Sequence, residues 1–382
     1  VPDRESLAAR FASALEQLGS LLNAPFALAV SGGGDSVALM HLAADWLRAN
    51  AVPLENGSVL TVDHGLREGS AREAAATASW AKAIGFAAHT LKWRGARPRS
   101  NIEGRAREAR YRLIGDWCRT NKVGAVLLAH TRDDQAETFL LRLGRGSGVD
   151  GLSAMRGRAR FPLPGYDGIE LIRPLLDIGR DELRADLAAR GAAWLEDPMN
   201  EDTRFARVRI RMAMKALEMA GVSLLRIAQA ADHLARAREA LEADTARFLE
   251  KHARFEPDAA FFDSAALRAE PREIGLRALS AILMRVSGAS YRPRLERLER
   301  AFDSLGGARP ALTLSGCRIR AATGGFRPFG TATLEVRREK SRRSRGSRDD
   351  AAQEKHAAGT MIAEVGAKLP KKRRIILRLS GS

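Results

Sequence analysis

The chain has little of what secreted and membrane proteins depend on. Two cysteines occur in 382 residues, Cys118 and Cys317, far apart in sequence. That indicates neither a disulfide framework nor a zinc cluster, and a reducing cytoplasm is the expected compartment. No run approaches the ~18 apolar residues of a membrane span, so no membrane partner is expected. The opening Val1-Pro2-Asp3-Arg4-Glu5 lacks the apolar core of a secretion signal. Aromatics make up only 5% of the residues, so stacking platforms for single-stranded RNA should be few. Acids are in deficit: 46 Asp and Glu against 63 Lys and Arg leave a formal net charge of +17. This exceeds the needs of solubility and points to a polyanionic partner, most simply nucleic acid.

The most organised stretch present is Ala27-Leu28-Ala29-Val30-Ser31-Gly32-Gly33-Gly34-Asp35-Ser36-Val37-Ala38-Leu39. Four small or apolar residues read as a buried strand. Three glycines then form a turn between two hydroxyls, and Val37, Met40, Leu42 and Leu47 continue as a helix. Strand, glycine turn and helix are the layout of a phosphate cradle. Glycines let backbone N–H groups approach a phosphate, and the helix start adds partial positive charge. Ser31 and Ser36 offer hydroxyl donors, and Asp35 offers a carboxylate to a magnesium ion on the phosphates. No Lys-Ser/Thr follows the glycines, so this is not a Walker loop. Val37 stands where a dinucleotide fingerprint would have its third glycine. A flexible Gly/Ser turn is the plain alternative.

Further strands are expected at 59–62, 86–93, 125–129 and within 169–176. Helices over 71–84, 103–118, 133–143 and 180–190 separate them, with Gly85 ending the first, and another helix carries Leu7, Phe11, Leu15 and Leu18 up to Gly19. This alternation predicts an α/β fold, a parallel sheet with helices on both faces, and ligands bind beyond the carboxyl ends of such strands. The rule brings together residues 31–36, Asp63-His64 and residues 130–137. In His130-Thr131-Arg132-Asp133-Asp134-Gln135-Ala136-Glu137-Thr138, Asp134 and Glu137 share a helix face. They could bind an ammonium group or help hold a metal. Helix capping by Thr131 or Asp133 is the plainer reading. From about Met212 the pattern becomes helical, with Ile227, Leu234, Leu241 and Phe248 seven apart, then helices over 274–286 and 295–305. Residues 313–320 and 331–336, separated by Gly324-Gly325, suggest a β-hairpin. The expected domains are therefore 1–215, a catalytic α/β domain; 216–305, a helical RNA-binding domain; 306–340, a hairpin extension; and 341–382, a basic tail read as disordered.

Taken together, these pieces resemble one family. The loop 31–36 is similar to the Ser-Gly-Gly-x-Asp-Ser loop of the N-type ATP pyrophosphatases, the PP-loop enzymes. The ordered set of that loop, Asp63-His64-Gly65-Leu66-Arg67, Asn101 through Tyr111, His130 through Thr138, Arg145-Gly146-Ser147-Gly148, Ile172-Arg173-Pro174-Leu175-Leu176 and Asp197 through Arg211 resembles the tRNA(Ile)-lysidine synthetase family over roughly residues 25–215. The resemblance implies a ligase that adenylates O2 of the wobble cytidine in an isoleucine tRNA with a CAU anticodon. The ε-amine of L-lysine would then displace AMP. It implies that Ser31, Gly32, Gly33, Gly34, Asp35, Ser36 and Asp63 bind ATP, with Mg2+ on Asp35. Asp134 and Glu137 would hold lysine, His130 would line the adenylate pocket, and Arg110 and Arg207 would contact nucleotide or tRNA. The chain departs from the family pattern at Met199, usually Ser, and at Val208, usually Asn. A homodimer is an allowed assembly that the sequence does not decide. The rivals are a PP-loop tRNA thiolase, which needs a well-placed cysteine, and a non-catalytic RNA-binding protein that retains a nucleotide fold.

Overall fold

The computed structural model describes residues 6–17, 24–65, 69–94, 102–196, 202–289, 291–307, 311–323 and 326–339. Contacts divide the chain into two compact units, one reaching Ala235 and one starting at Arg236. The first holds α1 (Leu7–Glu16), β1 (Phe26–Ala29), α2 (Gly34–Ala49), β2 (Gly57–Asp63), α3 (Ser70–Ile84), β3 (Ala87–Lys92), α4 (Ile102–Thr120), β4 (Ala125–Leu128), α5 (Arg132–Leu143), α6 (Val149–Leu152), β5 (Arg158–Arg160), β6 (Glu170–Ile172), α7 (Arg180–Ala189) and α8 (Ala206–Met219). Helix α9 (Leu224–His252) contains the division.

The strand order is β3-β2-β1-β4-β6-β5. All neighbours are parallel except β5, which runs antiparallel to β6. Side chains alternate across the sheet as the pleat requires. Phe26, Leu28, Val59, Ala125 and Leu127 join α1, α2 and α7 in one core, with Phe11, Leu39, Met40, Leu183 and Leu187. Ala27, Leu60, Val126, Leu128 and Leu171 point the other way and meet Tyr111, Ile114 and Cys118 of α4. Helices therefore cover both faces, as the alternation of elements implied. Helix α2 is apolar almost all round, and Leu39 and Met40 are fully buried. Such burial contributes roughly 1.5–3 kcal/mol per large side chain. Gly85 closes α3 in the left-handed region at φ 113°.

Chain order reverses between β1 and β4. From β1 the chain moves outward to β2 and β3, then returns to the other side of β1 with β4. Adjacent connections leave the sheet in opposite directions there, and this opens a crevice at the carboxyl ends. Loop 31–36 follows β1, and residues 129–131 follow β4.

The second unit holds the rest of α9, then β7 (Ala253–Glu256), β8 (Ala259–Asp263), α10 (Ser264–Ala269), α11 (Arg272–Ser287), α12 (Leu295–Ser304), β9 (Ala311–Leu314), β10 (Cys317–Ala321) and β11 (Thr333–Arg338). Its helices match the periodicity, but it also contains an antiparallel five-stranded sheet, β7-β8-β11-β10-β9. The sequence reading saw only part of it. Strands β7 and β8 are short and turn at Pro257-Asp258, directly after a 29-residue helix. The segment 313–320, read as one strand, is broken by a hairpin at Ser315-Gly316. Both residues have positive φ, 52° and 71°, as a tight type I′ turn demands. The heptad stripe on α9 also serves two cores. Ile227 packs with Ala136 and Met214 in the first unit, and Phe248 belongs to the core of the second. Gly19, Leu66-Arg67, Asn101, residues 197–201 with Met199, Gly324-Gly325 and the basic tail 341–382 lie outside the described residues. Val208 is buried in α8.

Gly275 on α11 shows how tightly the second core is packed. A Cβ there would lie 2.5 Å from the Phe302 ring and 3.0 Å from the Leu267 carbonyl. Gly275→Ala should destabilise the protein by about 1–3 kcal/mol, the usual cost of overpacking. Urea unfolding followed by circular dichroism checks this.

Candidate active site

The glycine loop is tied by Ser36. Its Oγ accepts from the Ser31 N–H at 3.2 Å, lies 3.3 Å from the Ser31 Oγ, and donates to the Gly33 carbonyl at 2.8 Å. Gly32 has φ +90°, and a Cβ there would come within 2.5 Å of Thr77 Oγ1 and 2.6 Å of Leu195 Cδ1. Conformation and space together require glycine. The Leu195 N–H donates to the Gly32 carbonyl at 2.8 Å, so a distant segment braces the loop from outside. Gly33 starts α2 with no side-chain cap. The donors of the first helical turn therefore face the loop, where they suit an anion.

Asp35, in that first turn, is joined to α5 through Arg180. The Arg180 Nε donates to Asp35 Oδ2 at 3.1 Å, Nη2 lies 3.5 Å from Asp134 Oδ1, and Nη1 lies 3.5 Å from Glu137 Oε1. Arg211 donates from Nε to Glu137 Oε1 at 2.6 Å, and Arg207 from Nη1 to Asp134 Oδ1 at 3.3 Å. Glu137 is 1% exposed and Asp134 is 7% exposed. Burial opposes the Arg180 charge, yet Asp35, Asp134, Glu137 and Asp133 hold its pKa well above the ordinary value. Burial raises the Asp35 pKa, and Arg180 pulls against that rise. The capping alternatives also resolve here. Thr131 caps α5 in a reciprocal box with Asp134, while Asp133 accepts from the Arg180 backbone N–H at 2.9 Å.

Helix α7 is clamped to α5 by more than that bond. The Glu182 carboxylate receives the Gly179 N–H and Arg132 at 3.0 Å each, and Arg10 at 2.7 Å. The Arg132 N–H donates to the Ile178 carbonyl at 3.0 Å. The backbone under Arg180 is thereby held in register with the start of α5.

Two histidines and a set of arginines stand at neighbouring strand ends. His64 follows β2, His130 follows β4 by two residues and Arg173 follows β6. The Nδ1 atoms of both histidines and the Arg173 Nε are buried without a hydrogen-bond partner among the described residues. Burial, followed by the charge of Arg110, lowers the His64 pKa to about 4. Burial, with Arg173, Arg107 and Arg207 nearby and Asp134 opposing, lowers His130 to about 4 as well. Arg107 lies over the Tyr111 ring and donates to its hydroxyl at 3.2 Å.

The structure thus joins Asp35, Asp134 and Glu137 through shared guanidinium groups. Arg207 belongs to that network. Asp63 does not enter it: its Oδ1 accepts from Ser70 Oγ at 2.7 Å and from the Gly65 N–H at 3.0 Å, bracing its own turn. Arg110 is exposed and acts on His64. Sequence reasoning missed Arg180, Arg211, Arg173 and the Leu195 brace. Arg173 and Arg211 lay inside motifs already noted, but nothing local marked Arg180. No group of three or more His, Cys, Asp or Glu able to hold a metal ion occurs among the described residues. A magnesium ion here would accordingly use the single Asp35 carboxylate plus phosphate oxygens, the usual manner for that ion. The partly exposed Asp35 carboxylate, at the start of an uncapped helix, fits this. No described helix is long and apolar enough to cross a membrane.

The two histidines set a pH dependence. In the folded protein they stay neutral down to about pH 4, whereas an unfolded histidine protonates near 6.5. Between those values the unfolded chain binds more protons, so stability falls as pH drops. The double variant His64→Asn/His130→Asn should lose less stability between pH 7 and pH 5 than the parent. Denaturant midpoints at the two pH values check this.

A PP-loop domain family model matches residues 5–217. The tRNA(Ile)-lysidine synthase of Ruegeria pomeroyi is 44% identical over 292 residues, 76% of this chain and 68% of that protein. The protein of the same name from Bradyrhizobium diazoefficiens is 44% identical over 288 residues, 72% of this chain and 77% of that one. The one from Methylobacterium nodulans is 41% identical over 301 residues, 78% of this chain and 85% of its own length. With an ATP-type phosphate loop built into this geometry and relatives of this extent, the chain belongs to the tRNA(Ile)-lysidine synthase family of PP-loop ligases.

Proposed function

We propose that this enzyme joins L-lysine to C2 of the wobble cytidine of a tRNA(Ile) bearing a CAU anticodon, with ATP as co-substrate. The observation that carries this is the meeting of Asp35, beside the phosphate loop, with the buried acids Asp134 and Glu137 through one guanidinium. A triphosphate site next to a buried carboxylate pair suits a reaction that splits ATP and receives an amine.

In the first step the cytidine O2 attacks the α-phosphorus. The bond from that phosphorus to the bridging oxygen breaks, and pyrophosphate leaves. Loop 31–36 and the α2 N-terminus present fixed donors to the phosphates without reorganising during the reaction. Magnesium held by Asp35 would neutralise phosphate charge. In the second step the lysine ammonium gives up a proton to solvent, the freed Nε lone pair attacks C2, a second proton leaves Nε for solvent, and AMP departs with the former O2. Asp134 and Glu137 hold the ammonium form as it arrives, and His130, neutral with an unpartnered ring nitrogen, lies near Asp134. Arg107, Arg110 and Arg173 supply positive charge for RNA or nucleotide phosphates.

The thiolase reading loses support from its own requirement. Cys118 is fully buried in the α4 core, and burial pushes its thiol up to about 12. Cys317 is fully buried in the second core.

Mass spectrometry of nuclease-digested tRNA should find lysine attached to the anticodon cytidine, with pyrophosphate released only when tRNA and ATP are both present. Asp35→Ala should lower kcat by about 10²–10³-fold and leave tRNA affinity within about twofold in filter binding. Loss of both together would remove the assigned role. Glu137→Gln should raise the KM for lysine about 10- to 100-fold, the worth of one buried charge-assisted bond. Initial rates over a lysine series test this, and an unchanged KM would place the amine elsewhere.

A further inference from the structure

Arg180 takes no part in the bond changes outlined above, yet among the described residues it is the one paired with both Asp35 and the α5 acids. Its three nitrogens address three carboxylates on two helices: Asp35 of α2, and Asp134 and Glu137 of α5. Its backbone cannot drift, because its N–H is bonded to Asp133 and the preceding residue is clamped through Glu182. Only the side chain is free to change partners. Its side chain is 17% exposed, and of its partners Asp35 is partly exposed and Glu137 is buried.

Charge counting gives this contact a consequence. Three carboxylates contact three guanidinium groups, those of Arg180, Arg207 and Arg211, and Asp133 beside Arg180 and Arg184 near Asp35 add one charge of each sign. The cluster is balanced, so an arriving ammonium meets no net negative charge. A polyphosphate on loop 31–36 would offer Arg180 a stronger anion next to Asp35. Moving toward it would withdraw one positive charge from Asp134 and Glu137 and leave them a surplus for the amine.

We propose that Arg180 is a positioning residue that couples the two small-substrate sites, so that nucleotide binding creates the affinity for lysine. The inference rests on the function proposed above, and it adds an order of binding: nucleotide first, amine second. Linkage makes the effect reciprocal, so lysine must tighten nucleotide binding by the same factor.

The test is calorimetric titration of the full chain with L-lysine, with and without α,β-methylene-ATP and magnesium. It reads binding and needs no turnover. The parent should bind lysine at least about tenfold more tightly with the analogue present. In Arg180→Gln that ratio should fall to within about threefold of one. Arg180→Lys should also lose most of the ratio, because one ammonium cannot reach three carboxylates as a guanidinium fork does. Thermal melts verify folding, and the lysine variant carries the test if the glutamine variant does not fold. A purely structural role would weaken both affinities and leave their ratio intact, which would overturn the proposal. Lysine binding by the parent that ignores the nucleotide would overturn it too. Absence of lysine binding in every arm would overturn both this inference and the function beneath it.

Discussion

Burying Glu137 as an anion is the demand around which the site is built. A carboxylate sealed to this degree costs several kcal/mol in lost hydration unless cations and hydrogen bonds replace the water. The replacement comes from outside α5, from Arg180 on α7 and from Arg207 and Arg211 on α8. Each of those arginines must then be held at the right distance. The Glu182 clamp and the Asp133 bond to the Arg180 backbone do this for one of them. The packing of Ala136, Met214 and Ile227 keeps α5, α8 and α9 together for the others. One buried charge thus accounts for contacts among segments 43 to 74 residues apart.

The sheet supplies the second constraint. Its order reverses beside β1, so the loop after β1 and the helix after β4 open into one crevice. Small side chains make the crevice usable. Gly32 admits Thr77 and Leu195 against the loop, where a Cβ would come within 2.6 Å of both. The +17 excess finds part of its place here too, in arginines at the strand ends. With few aromatics available, the RNA recognition proposed above would fall to charge and shape more than to stacked bases.

What could be read in the sequence follows from how local each cause is. The strand–glycine–helix unit at 26–49 was legible because backbone geometry and burial act over neighbouring residues. The capped start of α5 was legible for the same reason, although only coordinates separate the roles of Thr131 and Asp133. Asp63 stands at a strand end, as the sequence reading placed it, but only coordinates show that its Oδ1 braces its own turn through Ser70 and Gly65. Arg180 left no local trace: its partners lie 145 residues away at Asp35 and 43–46 away on α5, and one arginine at a helix start has many reasons to be there. The second sheet was hidden by brevity, since β7 and β8 have four and five residues and little room for alternation to register.

The side-chain chemistry of the cluster also bears on the reaction proposed for it. Among the described residues every cation paired with the buried acids is an arginine, and none is a lysine. A lysine there could balance the same charge, but it would place a primary amine beside an activated cytidine, where it would compete with the substrate amine as nucleophile. A guanidinium remains protonated in proteins and offers no lone pair at neutral pH. Its planar fork also spans several carboxylates at once, as Arg180 does. A pocket meant to receive an amine therefore gains twice from arginine: charge balance without reactivity, and a cation that can be exchanged for the substrate's own.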